Sequence, residues 1–377
     1  MIIDTLTIVS CCILIIMAVA TPLFNALFRR PAADADAPKA SQPPLSVIIT
    51  LDDEIQDMER NLLQFLHQDY PAGYEVIVVD ELLSDETKDL LNRLKADYPQ
   101  LYTTFIPNSS HYLSRRKAAQ VIGIKAAKHD WVLLTDMDCH PTSEYWLQAM
   151  AAHCDADTDM VCGYTSYEAD ARPFYIFERL LTSCYLMRQA ATGKAYRYNG
   201  NNLLLRKQVF LDNHGFQKNL GSLYGEYDFI VNECAQPYRT AYACEPEARM
   251  LQEEPTPKVW RQSYLHTIDT CRHLKRSFLP RLLFCWDNLW LHLNYLLIMA
   301  AVVYALLLEN WIILGTAVFS CLLTLTLRLC IARRAFRTYG ETLALWRVPL
   351  LELRILWQDI VFQLRYLTRN RNDYRRR

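Results

Sequence analysis

The chain has 377 residues, of which 51% are hydrophobic, and its formal net charge at pH 7 is −1. This length accommodates a core domain of roughly 250 residues plus anchoring segments, and the neutral charge balance argues against a nucleic-acid-binding protein. The 12 cysteines include no Cys-x-x-Cys pair. Disulfide frameworks are typical of much smaller secreted chains, so we expect free thiols in a reducing compartment.

The first predicted element, within residues 1–30, is a transmembrane helix. Residues 6–28 form an uncharged apolar run, and about 20 helical residues suffice to cross a bilayer core. A cleaved signal peptide is the alternative, but it would carry a positive n-region and a shorter apolar stretch, whereas Asp4 precedes this run. Arg29 and Arg30 follow it, and the positive-inside rule then places the next domain in the cytoplasm.

A linker and an α/β domain follow the first helix. Residues 31–44 are small, polar and proline-rich, as linkers are, and the predicted domain covers residues 45–275. Short β-rich runs alternate in this domain with helical stretches of about 10–15 residues. The predicted strands are residues 45–50, 75–80, 101–106 and 131–135. This alternation predicts a mostly parallel sheet with flanking helices.

Acidic residues cluster where the predicted strands end. Three strands are followed or closed by such residues: Asp53 with Glu54, Asp80 with Glu81, and Asp136 with Asp138. In open parallel sheets, ligands bind beyond the carboxyl ends of the strands, so we expect these pairs to share one edge. Like charges held close together repel, and a divalent cation would relieve that repulsion.

The run Asp136-Met137-Asp138 has the pattern of a metal and diphosphate site. Mg2+ and Mn2+ prefer oxygen ligands, and Mg2+ takes only one or two protein carboxylates, with substrate phosphates in other positions. A solvated turn is the alternative for an isolated Asp-x-Asp, but the position after a buried strand favours the metal site. The sequence contains neither Gly-x-Gly-x-x-Gly nor a P-loop, which excludes those phosphate sites.

Glu226 and Asp228 are the candidate bases for an acceptor hydroxyl, because a carboxylate within hydrogen-bonding reach can accept its proton. They open a predicted helix with Phe229, Ile230 and Val231 on its apolar side. The alternative is that both are first-turn acids favoured by the helix dipole, an effect of up to about 1 kcal/mol. The sequence leaves open which of the two is the base.

The last part of the chain combines apolar and basic segments. Residues 286–332 predict a transmembrane hairpin split by Glu309 and Asn310, so the chain has transmembrane helices at both ends. Residues 333–377 contain 11 arginines, no lysine and four acidic residues, which suits the anionic cytoplasmic leaflet. Within this tail, residues 350–367 predict an interfacial helix, with a soluble amphipathic helix as the equal alternative. Three spans place the C-terminus in the cytoplasm.

Together these motifs resemble glycosyltransferase family 2, whose members have the GT-A fold. The matching segments are QDYP at 68–71, EVIVVDE at 75–81, Lys117, GIKAA at 123–127 and the Asp-x-Asp run. The resemblance covers about residues 45–270 and is specific only through the combination of motifs. It implies a nucleotide-sugar-dependent, hexosyltransferase-type enzyme of polysaccharide biosynthesis that inverts the transferred sugar.

The resemblance also implies a role for each matching residue. The donor would be contacted by Asp53, Glu54, Asp80, Glu81, Lys117 and Asp136. The metal would be bound by Asp138 together with Asp136, and Glu226 or Asp228 would supply the base. Residues 199–206 resemble the family strand that lines the acceptor side.

Three segments depart from the family pattern. Residues 81–83 read Glu-Leu-Leu where Asp-Gly-Ser is usual, which indicates a different nucleotide turn, and Tyr227 interrupts the family's Glu-Asp pair. Processive members carry Gln-x-x-Arg-Trp, whereas residues 262–266 read Gln-Ser-Tyr-Leu-His, which favours addition of a single sugar. His266 is a candidate third metal ligand, with an ordinary surface or packing histidine as the alternative.

The sequence therefore predicts a membrane-anchored glycosyltransferase with a cytoplasmic active site and a Mn2+ or Mg2+ cofactor. Its acceptor would lie near the membrane, as a lipid-linked sugar or polysaccharide precursor, with membrane lipid as a further partner. A catalytically silent GT-A scaffold that anchors a partner enzyme is the second hypothesis. A nucleotidyl or phosphoryl transferase is the third.

Overall fold

The computed structural model describes residues 4–28, 42–51, 57–82, 84–107, 114–191 and 193–368. The chain divides into two compact units. The sheet unit comprises Pro31–Ser277 with Arg365–Arg377, and the helical unit comprises Met1–Arg30 with Phe278–Leu364.

The sheet unit is built on a seven-stranded sheet with the order β3-β2-β1-β4-β8-β6-β9. Its strands are β1 (Leu45–Leu51), β2 (Tyr74–Asp80), β3 (Leu101–Phe105), β4 (Trp131–Asp136), β6 (Met160–Gly163), β8 (Leu203–Arg206) and β9 (Thr240–Ala243). The first four are mutually parallel, β8 is antiparallel to both of its neighbours, and β9 is parallel to β6. The predicted α/β class with a mostly parallel sheet is confirmed.

A second, three-stranded sheet lies beyond β4. It has the order β5-β10-β7, with β5 at Cys139–Pro141, β7 at Thr165–Tyr167 and β10 at Met250–Gln252. Strand β10 is antiparallel to β5 and parallel to β7. Because β5 begins directly after the Asp-x-Asp run, this small sheet fixes the path of the chain where the predicted metal site ends.

Helices cover the sheets. The helices of the sheet unit are α2 (Met58–Leu66), α3 (Asp85–Asp97), α4 (Arg115–Ala126), α5 (Trp146–Ala151), α6 (Pro173–Ala191), α7 (Lys207–Asp212), α8 (Glu226–Cys234) and α9 (Pro257–His273). Alternate residues of each central strand pack into two different cores. In β1, Val47 and Ile49 belong to one core and Ile48 to the other. Burial on both faces explains why these strands read as continuous apolar runs in the sequence.

Helix α4 approaches the sheet most closely at Gly123. A Cβ atom at this position would lie 2.4 Å from Ile48 Cγ2 and 3.2 Å from Val79 Cγ2. The absence of a side chain therefore lets α4 pack directly on β1 and β2. This close packing sets the position of the N-terminal end of α4, which carries Arg116 and Lys117.

The helical unit contains α1 (Thr5–Phe24), α10 (Phe278–Leu307), α11 (Trp311–Tyr339) and most of α12 (Val348–Thr368). Within the described part of the chain, three helices are long and apolar enough to cross a membrane, namely α1, α10 and α11. Helices α10 and α11 extend beyond the predicted hairpin of residues 286–332 at both ends. Helix α12 contains the segment predicted as an interfacial helix.

A buried charge cluster joins the four helices of this unit. Arg328 of α11 forms ion pairs with Asp287 of α10 at 3.2 Å and with Glu352 of α12 at 2.9 Å. Arg328 Nη1 also donates to the Thr21 carbonyl oxygen near the end of α1 at 3.2 Å. Asn25 Nδ2 donates to Glu352 Oε1 at 3.1 Å. Because all three charged side chains are buried, their pairing offsets the cost of removing each charge from water.

Candidate active site

The strand register places two acids on either side of the β1 end. Thr50 is the register partner of Asp136 on β4, and Leu51 is the partner of Asp80 on β2. The parallel order therefore brings the carboxyl ends of these strands to one edge, as the sequence predicted. Two further predicted donor-binding residues, Asp53 and Glu54, lie outside the described residues.

Asp136 closes β4 and is fully engaged with neighbouring side chains. Its Oδ1 accepts a hydrogen bond from Thr50 Oγ1 at 2.6 Å, and its Oδ2 forms an ion pair with Arg116 of α4. Burial raises the pKa of Asp136, and the Arg116 guanidinium opposes that shift. The positive charge of Arg116 therefore already balances the negative charge of the Asp136 carboxylate.

Asp138 is more open than Asp136. It is half-buried, and its Oδ2 accepts a hydrogen bond from Gln252 Nε2 at 2.6 Å. Its Oδ1 accepts only the weak thiol donor of Cys139 at 3.3 Å among the contacts of the described residues. One oxygen of Asp138 is therefore held by the protein, while the other retains most of its capacity to accept a ligand.

Glu226 opens α8 directly after Gly225, whose φ of +84° lies in the left-handed region that favours glycine. The carboxyl group is buried, and within the described residues its Oε1 has no hydrogen-bond partner. Burial raises the pKa of Glu226, whereas the positive charges of Arg116 and Lys117 lower it and the negative charge of Asp136 raises it. Glu226 thus interacts electrostatically with Arg116, the residue that pairs with Asp136 at the end of β4.

Asp228, two residues later, has a different environment. Its Oδ1 accepts hydrogen bonds from Arg197 Nε at 3.2 Å and from the Tyr198 backbone N–H at 3.1 Å. Both side chains of the Arg197 pair are largely buried. Asp228 is thereby committed to holding the segment before β8, which leaves Glu226 as the better candidate for the base.

Lys117 lies beneath the loop that precedes α8. Its Nζ donates to the carbonyl oxygens of Asn219 at 3.0 Å and Ser222 at 2.5 Å, and it lies 4.7 Å from the centre of the Phe229 ring. Burial lowers the pKa of Lys117 to about 8, while Glu226 partly opposes the shift. Lys117 therefore ties α4 to the loop that precedes the candidate base, and its predicted contact with the donor stays a prediction.

Asp80 is the last residue of β2 and Glu81 follows it at the same edge of the sheet. Both residues are buried. Asp80 Oδ1 accepts the backbone N–H of Leu82 at 2.9 Å, which stabilises the turn after the strand. The backbone N–H of Glu81 donates to the Leu51 carbonyl oxygen at 2.9 Å, and Arg115 donates to the Glu81 carbonyl oxygen. The turn is thus tied to both β1 and α4.

His266 lies on α9, where its ring stacks on Tyr224 with a centroid distance of 3.7 Å. Among the described residues, no three His, Cys, Asp or Glu side chains form a group that could hold a metal ion. The structure therefore does not assemble the predicted ligand set of Asp136, Asp138 and His266. The stacking of His266 on Tyr224 agrees with the alternative interpretation of this residue as a packing histidine.

Comparison with protein families assigns the chain to a class of enzymes. Residues 7–369 match glycosyl transferase family 21, which is nearly the whole chain. The chain belongs to this family. The match supports the enzyme class that the resemblance to family 2 implied, and the protein is a glycosyltransferase. No curated protein matches the chain.

The chain is also similar to solved structures of other proteins. The mannosyltransferase PcManGT from Pyrobaculum calidifontis, in complex with GDP-Man and Mn2+, has a TM-score of 0.53 and 16% identity, with 87% of this chain and 98% of that chain covered. S. aureus TarS 1–349 has a TM-score of 0.41 and 15% identity over 59% of this chain and 63% of that chain. The similarity to the mannosyltransferase supports the fold assigned to this chain and, at 16% identity, nothing finer than the fold.

The side chains at the edge of the sheet fit a hard divalent cation that is shared with a substrate. Such a cation needs only one or two protein carboxylates when substrate phosphates supply the other ligands. Asp138 offers an oxygen with spare acceptor capacity, whereas Arg116 already compensates Asp136. In this glycosyltransferase, Asp138 is therefore the better candidate ligand.

Sequence reasoning did not single out Arg116, which pairs with Asp136, or Gln252, which donates to Asp138. It also did not single out Arg179, which donates to Gln252. A signal for Arg116 was present, because Arg115, Arg116 and Lys117 occupy the first turn of α4, where the helix dipole disfavours positive charge. No local pattern points to the other two. They lie on β10 and α6, which packing between distant segments brings together.

Proposed function

We propose that this glycosyltransferase transfers a single sugar from a nucleotide-sugar donor, with the help of a divalent cation, to an acceptor held near the membrane. The observation that carries the proposal is the position of Asp136 and Asp138 at the carboxyl edge of the parallel sheet, with Glu226 interacting electrostatically with Asp136 and Arg116. This edge is where open α/β sheets bind ligands. This arrangement would supply one carboxylate as a ligand for a cation and a second carboxylate as the base for the acceptor hydroxyl.

On the donor side, Asp138 would hold Mn2+ or Mg2+, and Asp80, Glu81 and Asp136 would lie along the nucleotide. When bound, the cation neutralises negative charge on the leaving diphosphate. The mannosyltransferase with the same fold binds GDP-Man and Mn2+, which supports a donor and cofactor of this kind. Arg116 places a further positive charge beside Asp136.

On the acceptor side, Glu226 would take the proton of the attacking hydroxyl. Its Oε1, which has no hydrogen-bond partner among the described residues, can accept that proton, and burial raises the pKa of the carboxyl group. An attack assisted by a carboxylate base, with no covalent intermediate, gives inversion at the transferred carbon. Asp228 remains paired with Arg197.

The rest of the chain supports a membrane location for the acceptor. Among the residues that the structure describes, three helices are long and apolar enough to cross a bilayer, and the arginine-rich segment 333–377 suits an anionic cytoplasmic surface. An active site tethered in this way meets acceptors at the membrane, such as a lipid-linked sugar or a polysaccharide precursor. We place the active site and the C-terminus in the cytoplasm.

The test uses the purified full chain in detergent, with a panel of UDP- and GDP-sugars in the presence of Mn2+ or Mg2+. We expect metal-dependent hydrolysis of at least one donor. Asp138→Asn should abolish it without loss of folding, because the amide is a weaker cation ligand than the carboxylate. Asp130→Asn, at the exposed opposite end of β4, is the matched control and should retain activity.

Two outcomes would count against the proposal. Wild-type activity in Asp138→Asn would remove the metal role of that residue. A lack of turnover, together with no metal-dependent binding of any nucleotide, would favour the catalytically silent scaffold.

A further inference from the structure

Gln252 is the side chain that holds Asp138. It ends β10 and is the register partner of Cys139 on β5, the residue directly after Asp138. Its Nε2 donates to Asp138 Oδ2 at 2.6 Å. An amide has a donor end and an acceptor end, so this contact stabilises the carboxylate only if the nitrogen faces it.

Arg179 of α6 determines which end of the amide faces Asp138. Its Nη1 donates to Gln252 Oε1 at 2.6 Å. A guanidinium group only donates hydrogen bonds and an ionised carboxylate only accepts them. Between these two partners, Gln252 has one favourable orientation, with its oxygen toward Arg179 and its nitrogen toward Asp138.

Tyr167 in turn holds Arg179. Arg179 Nη2 donates to Tyr167 Oη at 2.6 Å, and the guanidinium lies 3.8 Å from the centre of the Tyr167 ring. Tyr167 on β7 is also the register partner of Gln252 on β10. Stacking and a second hydrogen bond therefore fix the direction of the guanidinium fork relative to the strand that carries Gln252.

We propose that Arg179 is a positioning residue that acts through Gln252 to orient Asp138 toward the cation. In this relay, Arg179 holds Gln252 and Gln252 holds Oδ2 of Asp138. The other oxygen, Oδ1, is left with only the weak Cys139 thiol donor among the described residues. One oxygen is thus presented as a ligand in a fixed direction. This inference rests on the proposed cation at Asp138.

The relay predicts an effect on metal affinity rather than on the fold. Loss of a partner that orients a metal ligand typically weakens metal binding by about 10- to 100-fold. We therefore expect Arg179→Met and Gln252→Met each to weaken Mn2+ binding by such a factor. Arg188→Met is the matched control, because Arg188 lies on the same helix and stacks on Tyr185.

The experiment titrates Mn2+ into the full chain in detergent, with saturating GDP and, separately, UDP, and measures free Mn2+ by electron paramagnetic resonance. The double variant Arg179→Met/Gln252→Met separates a relay from two independent effects. Because Arg179 acts through Gln252, the double variant should bind Mn2+ no more weakly than Gln252→Met alone. Thermal unfolding of each variant checks that it is folded.

Unchanged Mn2+ affinity in Arg179→Met, or additive losses in the double variant, would overturn the relay. If Arg179→Met does not fold, Arg179→Lys replaces it, since lysine keeps the charge but cannot contact Gln252 and Tyr167 as a fork; wild-type affinity in that variant would also overturn the relay. If the wild type itself binds no Mn2+ with either nucleotide, the proposed function fails, and the relay with it.

Discussion

At the scale of single residues, the two acids that open α8 illustrate how surroundings separate chemically similar groups. Glu226 has a buried oxygen without a hydrogen-bond partner among the described residues, whereas Asp228 is bound by Arg197 and by a backbone N–H. One acid therefore has unused capacity at the site, and the other completes an internal ion pair. Their removal should have different consequences.

Glu226→Gln should lower kcat by about 10²- to 10⁴-fold with little change in thermal stability, because a positioned base is lost and no ion pair is broken. Asp228→Asn should instead lower the free energy of unfolding by about 3–5 kcal/mol, since Arg197 would remain buried without its counter-charge. Steady-state kinetics and thermal unfolding of both variants provide the measurement. A large kcat loss in folded Asp228→Asn, with none in Glu226→Gln, would reverse the assignment.

Lys117 gives a pH dependence of stability with a defined sign. Its pKa falls from 10.5 to about 8 on folding because its ammonium group is buried. Between these values the unfolded chain binds more protons at this residue than the folded chain does, so the contribution of Lys117 to stability rises with pH. The cost of burying the charged form is fully present below pH 8 and disappears near pH 10.5.

Relative to Lys117→Met, the wild type should therefore gain on the order of 3 kcal/mol in unfolding free energy as the pH rises from 8 to 10.5. Chemical unfolding of both proteins at several pH values measures this difference. A difference that stays constant across the range would show that Lys117 titrates normally in the folded chain.

At the scale of secondary-structure elements, the Arg328 guanidinium group is the positive partner of two buried acids from two other helices of the helical unit. Arg328→Met should lower the free energy of unfolding by about 3–5 kcal/mol, because Asp287 and Glu352 would then be buried without a positive partner. Arg334→Met, at an exposed position of the same helix, is the matched control and should have little effect. Thermal unfolding in detergent measures both.

Neutralising the two acids as well tests the cause of this loss. If uncompensated charge is responsible, Asp287→Asn and Glu352→Gln together should restore part of the stability of Arg328→Met. No recovery would indicate that packing by the arginine, and not its charge, holds these helices together.

At the scale of the whole molecule, the distribution of arginines predicts the topology. A tag placed after residue 377 should be protected from protease in sealed right-side-out vesicles and accessible in inside-out vesicles, because the arginine-rich segment 333–377 favours the cytoplasmic side. If all three candidate helices cross the membrane, a tag before residue 1 should show the opposite pattern. Digestion of the C-terminal tag in right-side-out vesicles would contradict the cytoplasmic location.

The sequence by itself determined the architecture, because the relevant signals are local. Alternating apolar strands and helices specified the mostly parallel sheet. Long apolar runs specified the candidate membrane helices, and the position of Asp136 and Asp138 at the end of a strand specified the edge of the site. Each signal is contained in about 5–20 consecutive residues. Hydrophobic burial and strand geometry act on those residues directly.

The tertiary structure alone decided which of these side chains are available for chemistry. It paired Asp228 with Arg197, stacked His266 on Tyr224, and placed Lys117 under the loop before α8. The relay to Asp138 joins residues separated by 73 and 114 positions. Such contacts depend on how whole elements pack against one another, so no pattern in a single stretch of sequence specifies them.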